Sequence, residues 1–237
     1  MAQTGEGGFV FPAEHGFPPF YTLQPNVQTA IAQIEMWGRL VLAYCAAHDH
    51  FVLEATGTWE RSSALFCNAD IDRALSPHMI RIVMAHLVQQ GHAMYHPPLP
   101  RGVKPPQAQA SRNTHALSAA GATAAPALTS AADAACNQVL LLWRSPEAWG
   151  DSLYEWVRDT GQNKSILTMH ELATGAFVER AKMPQVLLRL ALQTQMKKGR
   201  AQVFSVTADR WSALLPTTDV LAQASDETMG ELGVKFV

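Results

Sequence analysis

The sequence has little charge, few cysteines and no long apolar run, and each shortage excludes a class of protein. Charged residues make up 16% of the 237 residues and the formal net charge is -2, which disfavours binding to a polyanion such as DNA. Cys45, Cys67 and Cys136 form no CxxC pair, which excludes a disulfide framework and a thiolate zinc site. No apolar stretch reaches the roughly 20 residues that cross a bilayer. Because a signal-peptide pattern is also missing, we expect a reduced, cytoplasmic protein.

Motifs for catalysis and metal binding are also missing. The sequence contains no GxSxG, Walker or HExxH pattern. His48 and His50 resemble part of a metal site, but no other histidine stands at a spacing that would supply the further ligands zinc needs. We therefore expect no enzymatic activity, no metal and no cofactor. Apolar residues, at 48%, are enough for a substantial core, and the low charge indicates surfaces covered by partner proteins.

One stretch differs from the rest of the chain in composition. Residues 97–135 contain 13 alanines and 6 prolines but no aromatic residue. Such a stretch buries too little apolar surface to offset its chain entropy, so we expect a disordered insertion. Short apolar runs flank it at residues 93–96 and 138–143, like the two legs of a hairpin. We therefore place the insertion inside a hairpin and the domain boundary after Arg144.

The first predicted domain covers residues 28–144. It begins with a helix over residues 28–48, followed by a short strand and a short helical segment over residues 69–75. A further helix has Ser76 as its N-cap and ends at Gly91. The apolar stripe of the first helix consists of Ile34, Trp37, Val41, Tyr44, Cys45 and His48.

The second predicted domain, residues 145–237, repeats that order of elements. Ser145 caps its first helix, and Thr168 and Glu171 form a capping box. A helix over residues 184–198 leads into a second hairpin, which carries an insertion near residues 207–232. We expect the inward face of that helix to consist of Val186, Leu187, Leu190, Ala191 and Thr194. The repeat predicts an α+β, mainly α, fold of two tandem winged-helix domains, each with helices packed on a small β-hairpin wing.

The amino-terminal segment, residues 1–27, is the most unusual part of the chain and the candidate docking segment. Its candidate partner-binding residues are Phe17, Pro18, Pro19, Phe20 and Tyr21. The prolines restrict the backbone, so ordering the segment costs little, and each aromatic ring contributes about 1.5–3 kcal/mol when buried. Physical reasoning leaves two alternatives, docking into another chain or folding back onto the first helix. A third is that the PPxY pattern is a ligand for a WW domain.

A winged-helix fold also raises the alternative of a DNA-binding transcription regulator. The third helix of such domains presents basic residues to the major groove. In the first domain that helix offers Arg81 but no lysine, and in the second it ends with Lys197, Lys198 and Arg200. Cations at a helix C-terminus also complement the helix dipole, so this modest cluster favours DNA binding only weakly.

The ordered motifs resemble those of the small-subunit family of the endosomal sorting complex ESCRT-II, the vacuolar protein-sorting-associated protein twenty-five family. The resemblance covers nearly the whole chain except the two insertions. The matching stretches are residues 17–27, 40–42, 143–144, 146–147, 149–150, 161–163, 170–172 with Gly175, and 233–236.

The resemblance implies a non-enzymatic adaptor, recruited peripherally to the endosomal membrane, in multivesicular body sorting of ubiquitinated cargo. Family members are tandem winged helices, and two copies join one copy each of two larger winged-helix subunits. The family's proline-aromatic motif docks into those subunits, which implies the same role for Pro18, Pro19, Phe20 and Tyr21 and favours intermolecular docking. The second winged helix of the family recruits an ESCRT-III subunit, which implies that role for residues 146–237. The insertions at residues 97–135 and 207–232 depart from the compact members of the family.

Overall fold

The computed structural model describes residues 8–54, 63–98, 138–163, 165–205 and 232–237. The chain forms two compact units that divide between Trp143 and Arg144, one residue before the expected boundary. Nearly all of the insertion expected at residues 97–135, and all of the second insertion except Leu232, lie outside the described residues.

The first unit combines two long helices with a three-stranded antiparallel sheet. In the sheet β5, Gln138–Leu141, lies between β1, Val52–Glu54, and β4, Ala93–Tyr95. Ala93 is opposite Leu141, so the apolar runs on either side of the first insertion pair as predicted. The elements are α1 Val27–Ala47, β1 Val52–Glu54, β2 Cys67–Asn68, β3 Arg73–Ala74, α2 Pro77–Gln89, β4 Ala93–Tyr95 and β5 Gln138–Leu141.

The two helices begin where side chains cap them and bury their predicted stripes. Asn26 Oδ1 accepts hydrogen bonds from the backbone N–H groups of Gln28 and Thr29 at 3.0 and 3.1 Å. Ser76 caps α2 in the same way, and that helix is followed by Gly91 with a φ of 76°. The predicted stripe of α1 is buried except at its last residue, His48, which is half-buried.

The short helix predicted over residues 69–75 is wrong in its second half. Only a 3-10 turn, Ala69–Ile71, forms there, and the chain then reverses to pair β3 with β2. Asp72 adopts a φ of 50°, a left-handed conformation that ends a helix. Asn68 favours the turn because its side chain accepts a hydrogen bond from the Asp70 N–H at 3.0 Å.

The second unit has a similar order of elements, and its sheet is completed by the last strand of the chain. β8 lies between β6 and β7, and Phe236 on β8 is fully buried. The capping box forms as predicted, with Thr168 and Glu171 exchanging bonds of 2.7 and 3.1 Å. The elements are α3 Pro146–Asp159, β6 Ile166–Thr168, α4 Met169–Ala173, α5 Ala176–Ala181, α6 Gln185–Lys197, β7 Ala201–Ser205 and β8 Leu232–Phe236.

The close contact between α3 and α6 depends on a glycine. A Cβ atom on Gly150 would lie 2.7 Å from the Ala191 carbonyl oxygen, closer than carbon and oxygen atoms pack. The inward face of α6 includes Leu187 and Ala191, as expected, but is otherwise rotated by about one residue from the expectation. Its buried residues are Leu187, Leu188, Ala191, Leu192 and Gln195, whereas Val186, Leu190 and Thr194 are half-buried.

We predict that Gly150→Ala destabilises the second unit by about 1–3 kcal/mol, the usual cost of overpacking. Alanine has a higher helix propensity than glycine by about 1 kcal/mol, so a stabilised variant would show that the helices do not approach this closely. The measurement is urea unfolding followed by circular dichroism. Glu155→Ala, at an exposed position of the same helix, is the control and should change the free energy of unfolding by less than about 0.5 kcal/mol.

Candidate docking site in the amino-terminal segment

The proline-aromatic segment forms a 3-10 turn, Pro18–Tyr21, a few residues before α1. Phe17 precedes the turn in extended conformation, and its carbonyl oxygen accepts a hydrogen bond from the Phe20 N–H at 2.9 Å. The two prolines fix φ and supply no backbone donors. The turn therefore separates side chains that point into the unit from side chains that point out of it.

Phe20 points inward and stacks on the indole ring of Trp37. The ring centroids are 4.4 Å apart and the planes are inclined by 8°. Phe20 is 4% exposed and Trp37 is fully buried. Such a pair contributes beyond the burial of its apolar area, so Phe20 anchors the turn to α1.

Tyr21 is the second inward anchor. It is 5% exposed, and its hydroxyl group donates to the His15 carbonyl oxygen at 3.0 Å. Burial raises the pKa of Tyr21 well above its usual range. In this structure Phe20 and Tyr21 thus belong to the core of their own unit, as the fold-back alternative expects, and a direct contact of either ring with a partner stays a prediction. The fold-back alternative describes these two residues here, because the Phe20 ring stacks on Trp37 and the Tyr21 hydroxyl group is hydrogen-bonded to His15.

The backbone of the turn is held by two side chains of α1. Gln33, which is 2% exposed, donates to the carbonyl oxygens of Phe20 at 2.7 Å and Thr22 at 3.0 Å. The Trp37 indole N–H also donates to the Phe20 carbonyl oxygen, at 2.9 Å. These donors from α1 pair carbonyl groups of a turn whose two prolines supply no N–H donors of their own.

His15 holds the preceding part of the segment. It is 2% exposed, stacks on Phe11 with ring centroids 4.1 Å apart, and donates through Nε2 to the Leu65 carbonyl oxygen at 3.2 Å. Its Nδ1 faces the Asn68 amide nitrogen at 3.4 Å. A protonated Nδ1 would face another donor, and burial lowers the pKa of His15, so both the contact and the burial favour the neutral form of the ring.

The outward side of the turn is an apolar patch. Phe17 is 58% exposed, and Pro18 and Pro19 are also exposed. We call Phe17, Pro18 and Pro19 the docking surface. A cleft of about 470 Å³ lies where Phe20 meets α1. Its lining consists of Phe9, Val10, Pro12, Glu14, Phe20, Met36, Arg39, Leu40 and Ala43.

The sequence analysis missed two residues that hold this site. Gln33 lies four residues before Trp37, and that spacing places both on one face of a helix, so a polar residue on the apolar stripe was the available signal. His15 lies only six residues before Tyr21, but its partner Leu65 is fifty residues away. No local pattern predicts such a contact.

Other residues singled out in the sequence form local structure. His48 stacks on Tyr44 with ring centroids 4.1 Å apart. Within the described ranges, no group of three or more His, Cys, Asp or Glu side chains could hold a metal ion. None of the helices in the described part of the chain combines the length and apolar character needed to span a membrane.

Two of the three cations at the end of α6 pair with one carboxylate. Lys198 Nζ lies 2.6 Å and Arg200 Nη1 lies 3.2 Å from Asp151 Oδ1. The hydrogen bond from Lys198 is the main cause of the lowered pKa of Asp151. These contacts join α3 to the C-terminal end of α6, which is a structural role and leaves less positive charge for phosphate groups.

We predict that the two phenylalanines on either side of the turn differ strongly in their contribution to stability. Phe20→Ala should lower the free energy of unfolding of the first unit by about 3–5 kcal/mol, because it leaves a cavity against Trp37. Phe17→Ala should change it by less than about 0.5 kcal/mol. Urea unfolding followed by tryptophan fluorescence measures both. Equal effects would show that Phe20 is not an anchor.

We also predict that acid destabilises the first unit through His15. The pKa of folded His15 lies below the usual value of 6.5, so between these two values the unfolded chain binds more protons. The free energy of unfolding should therefore fall as the pH is lowered below 6.5. His78 shifts in the same direction, through partial burial and the nearby Arg81, so His15→Gln should remove only part of the effect.

Unfolding midpoints measured from pH 8 to pH 5 test this dependence. His170→Gln, at an exposed position of the second unit, is the control and should retain it in full. A His15→Gln variant with an unchanged pH profile would show that the buried imidazole does not titrate below 6.5.

Comparison with known proteins gives a consistent result. The family model described as ESCRT-II complex subunit matches residues 14–187. Relatives named vacuolar protein-sorting-associated protein 25 from Rattus norvegicus and Homo sapiens are each 29% identical over 205 residues, covering 85% of this chain and 95% of the relative. The relative of the same name from Dictyostelium discoideum is 26% identical over 200 residues, covering 83% of this chain and 91% of its own.

Solved structures share the fold. A structure described as subunit VPS25 of the endosomal trafficking complex ESCRT-II superimposes with a TM-score of 0.61 at 22% identity, covering 95% of this chain and 98% of the other. A structure described as the endosomal complex ESCRT-II (VPS22/VPS25/VPS36) gives a TM-score of 0.58 at 22% identity, with the same coverage. The predicted α+β fold of tandem winged helices is confirmed. The family model matches well over half of the chain, and the protein therefore belongs to the ESCRT-II complex subunit family.

Proposed function

We propose that this chain is a non-enzymatic adaptor subunit of ESCRT-II. In this role two copies join one copy each of two larger winged-helix subunits, and the assembly is recruited peripherally to the endosomal membrane. The observation that carries the proposal is the match to relatives named vacuolar protein-sorting-associated protein 25 over 95% of their length. A structure described as ESCRT-II, with VPS22, VPS25 and VPS36, supports the same partners.

The docking surface is the part of the amino-terminal segment that we propose contacts a larger subunit. Its three residues are apolar and exposed, and burying a phenylalanine side chain contributes about 1.5–3 kcal/mol. The turn is already anchored by Phe20, so little further conformational entropy is lost on binding. The five-residue motif thus has two parts, in which Phe17, Pro18 and Pro19 face outward and Phe20 and Tyr21 face inward.

The contacts of Tyr21 and of the basic residues disfavour the two alternatives. A WW domain that recognises PPxY requires access to the tyrosine, but Tyr21 is 5% exposed and its hydroxyl group donates to His15. A DNA-binding role requires a basic face, but Lys198 and Arg200 pair with Asp151. Both alternatives are therefore less consistent with the geometry than the adaptor role.

We assign the second unit the recruitment of an ESCRT-III subunit, as its family resemblance implies. Ile166 on β6 is 60% exposed, and it provides an apolar contact of the kind that protein interfaces bury at their centre. Trp156 and Phe177 form a half-buried aromatic pair on the same unit, with ring centroids 5.8 Å apart. These features support a protein-binding rather than a catalytic role for the unit.

We predict that Phe17→Ala weakens binding to the two larger subunits at least tenfold, which corresponds to about 1.4 kcal/mol. The chain itself should remain folded because Phe17 is exposed. Isothermal titration calorimetry with the purified larger subunits measures the affinity. Ile166→Ala removes an equally exposed apolar side chain from the second unit and should leave that affinity unchanged. Equal affinities for Phe17→Ala and the original chain would contradict docking through this surface.

A further inference from the structure

We propose that Gln33 is the positioning residue that holds the docking surface in the conformation its partner binds. This inference rests on the proposed function, because it concerns how Phe17, Pro18 and Pro19 are presented to a larger ESCRT-II subunit. Gln33 itself is 2% exposed and lies behind the turn. It therefore acts through the segment and not by touching the partner.

The hydrogen bonds of the Gln33 side chain all end on the backbone of the segment. The amide nitrogen lies 3.3 Å from the Pro19 carbonyl oxygen, 2.7 Å from that of Phe20 and 3.0 Å from that of Thr22. The amide oxygen accepts from the Gln24 N–H at 3.2 Å. A primary amide supplies both donors and an acceptor in one group, so one buried side chain fixes the segment over six residues.

The attachment of the segment to α1 and the geometry of the docking surface depend on different contacts. Phe20 would still stack on Trp37, and the Trp37 indole would still donate to the Phe20 carbonyl oxygen, if Gln33 were replaced. The carbonyl groups of Pro19 and Thr22, on either side of that anchor, would lose their bond from α1 and keep bonds within the segment, such as those from Gln24 Nε2 at 2.9 Å each. Loss of Gln33 therefore leaves the segment attached but removes the hydrogen bonds that link the backbone next to the docking surface to α1.

A docking surface without these bonds binds its partner more weakly, because the conformational entropy of ordering it is then lost in the binding step. A partner that recognises one arrangement of Phe17, Pro18 and Pro19 binds only the molecules that have this arrangement. The apparent affinity is therefore reduced in proportion to the fraction of molecules that have it. A tenfold weaker affinity corresponds to the arrangement being present about one tenth of the time. The fold of the first unit does not depend on that fraction.

The variant Gln33→Glu tests the proposal with little change of shape. One carboxylate oxygen can still accept from the Gln24 N–H, but the other replaces a donor and faces the carbonyl oxygens of Pro19, Phe20 and Thr22. We expect at least a tenfold loss of affinity for the purified larger subunits at a temperature where the full-length variant is folded. Hydrogen exchange at the amides of residues 20–24 should become faster, while the amides of α2 keep their protection.

Two further variants make the result decisive. Ile80→Val, in the buried face of α2, lowers stability without touching the segment and should leave both the affinity and the exchange at residues 20–24 unchanged. If Gln33→Glu does not fold, Gln33→Met, which fills similar volume without polar atoms, is measured in its place with the same expected result. If neither variant folds, Gln33 has a structural role and the proposal is overturned.

The comparison with Phe17→Ala distinguishes failure of the positioning role of Gln33 from failure of docking through the Phe17 surface. If Phe17→Ala loses affinity but the Gln33 variants bind as the original chain does, the positioning role is overturned and docking through Phe17 stands. If all of these variants bind as the original chain does, docking through this surface fails, and the positioning role fails with it.

Discussion

The stacking of Phe20 on Trp37 is the contact on which the amino-terminal segment depends. Consecutive prolines supply no backbone N–H donors, so the segment cannot pair all of its carbonyl groups with its own backbone. Buried carbonyl groups without partners destabilise a fold, so an inward turn of this composition needs donors from elsewhere. Trp37 supplies one donor together with its apolar face, Gln33 supplies further donors from the same helix, and Gln24 adds bonds from within the segment. The first helix is therefore the template on which the segment is ordered.

This arrangement combines the two alternatives that the sequence leaves open. Folding back applies to Phe20 and Tyr21, whose rings are buried in their own unit. An intermolecular contact remains available to Phe17, Pro18 and Pro19, which are exposed. A short motif can serve both purposes because a 3-10 turn directs neighbouring side chains to different sides. Anchoring the inner residues gives the outer residues a fixed geometry before any partner binds.

Local signals predicted most of the fold because they act over a few residues. Ser76, Ser145 and the capping box at Thr168 fix where helices begin, and periodic apolar residues fix which face of α1 is buried. The prediction failed where tertiary contacts decide. The buried face of α6 includes Leu188, Leu192 and Gln195, which the apolar pattern did not place inward. The contact of His15 with Leu65 joins residues fifty positions apart. For the same reason, the segment's aromatic residues could be recognised from sequence but not divided into inward and outward sets.

The most direct test is an experimental structure of this chain bound to the two larger ESCRT-II subunits. We expect the Phe20 ring to remain stacked on Trp37, with Gln33 bonded to the turn, while Phe17, Pro18 and Pro19 are buried against a larger subunit. A structure in which Phe20 leaves Trp37 and inserts into a pocket of the partner would contradict the division of the segment into an inward anchor and an outward docking surface.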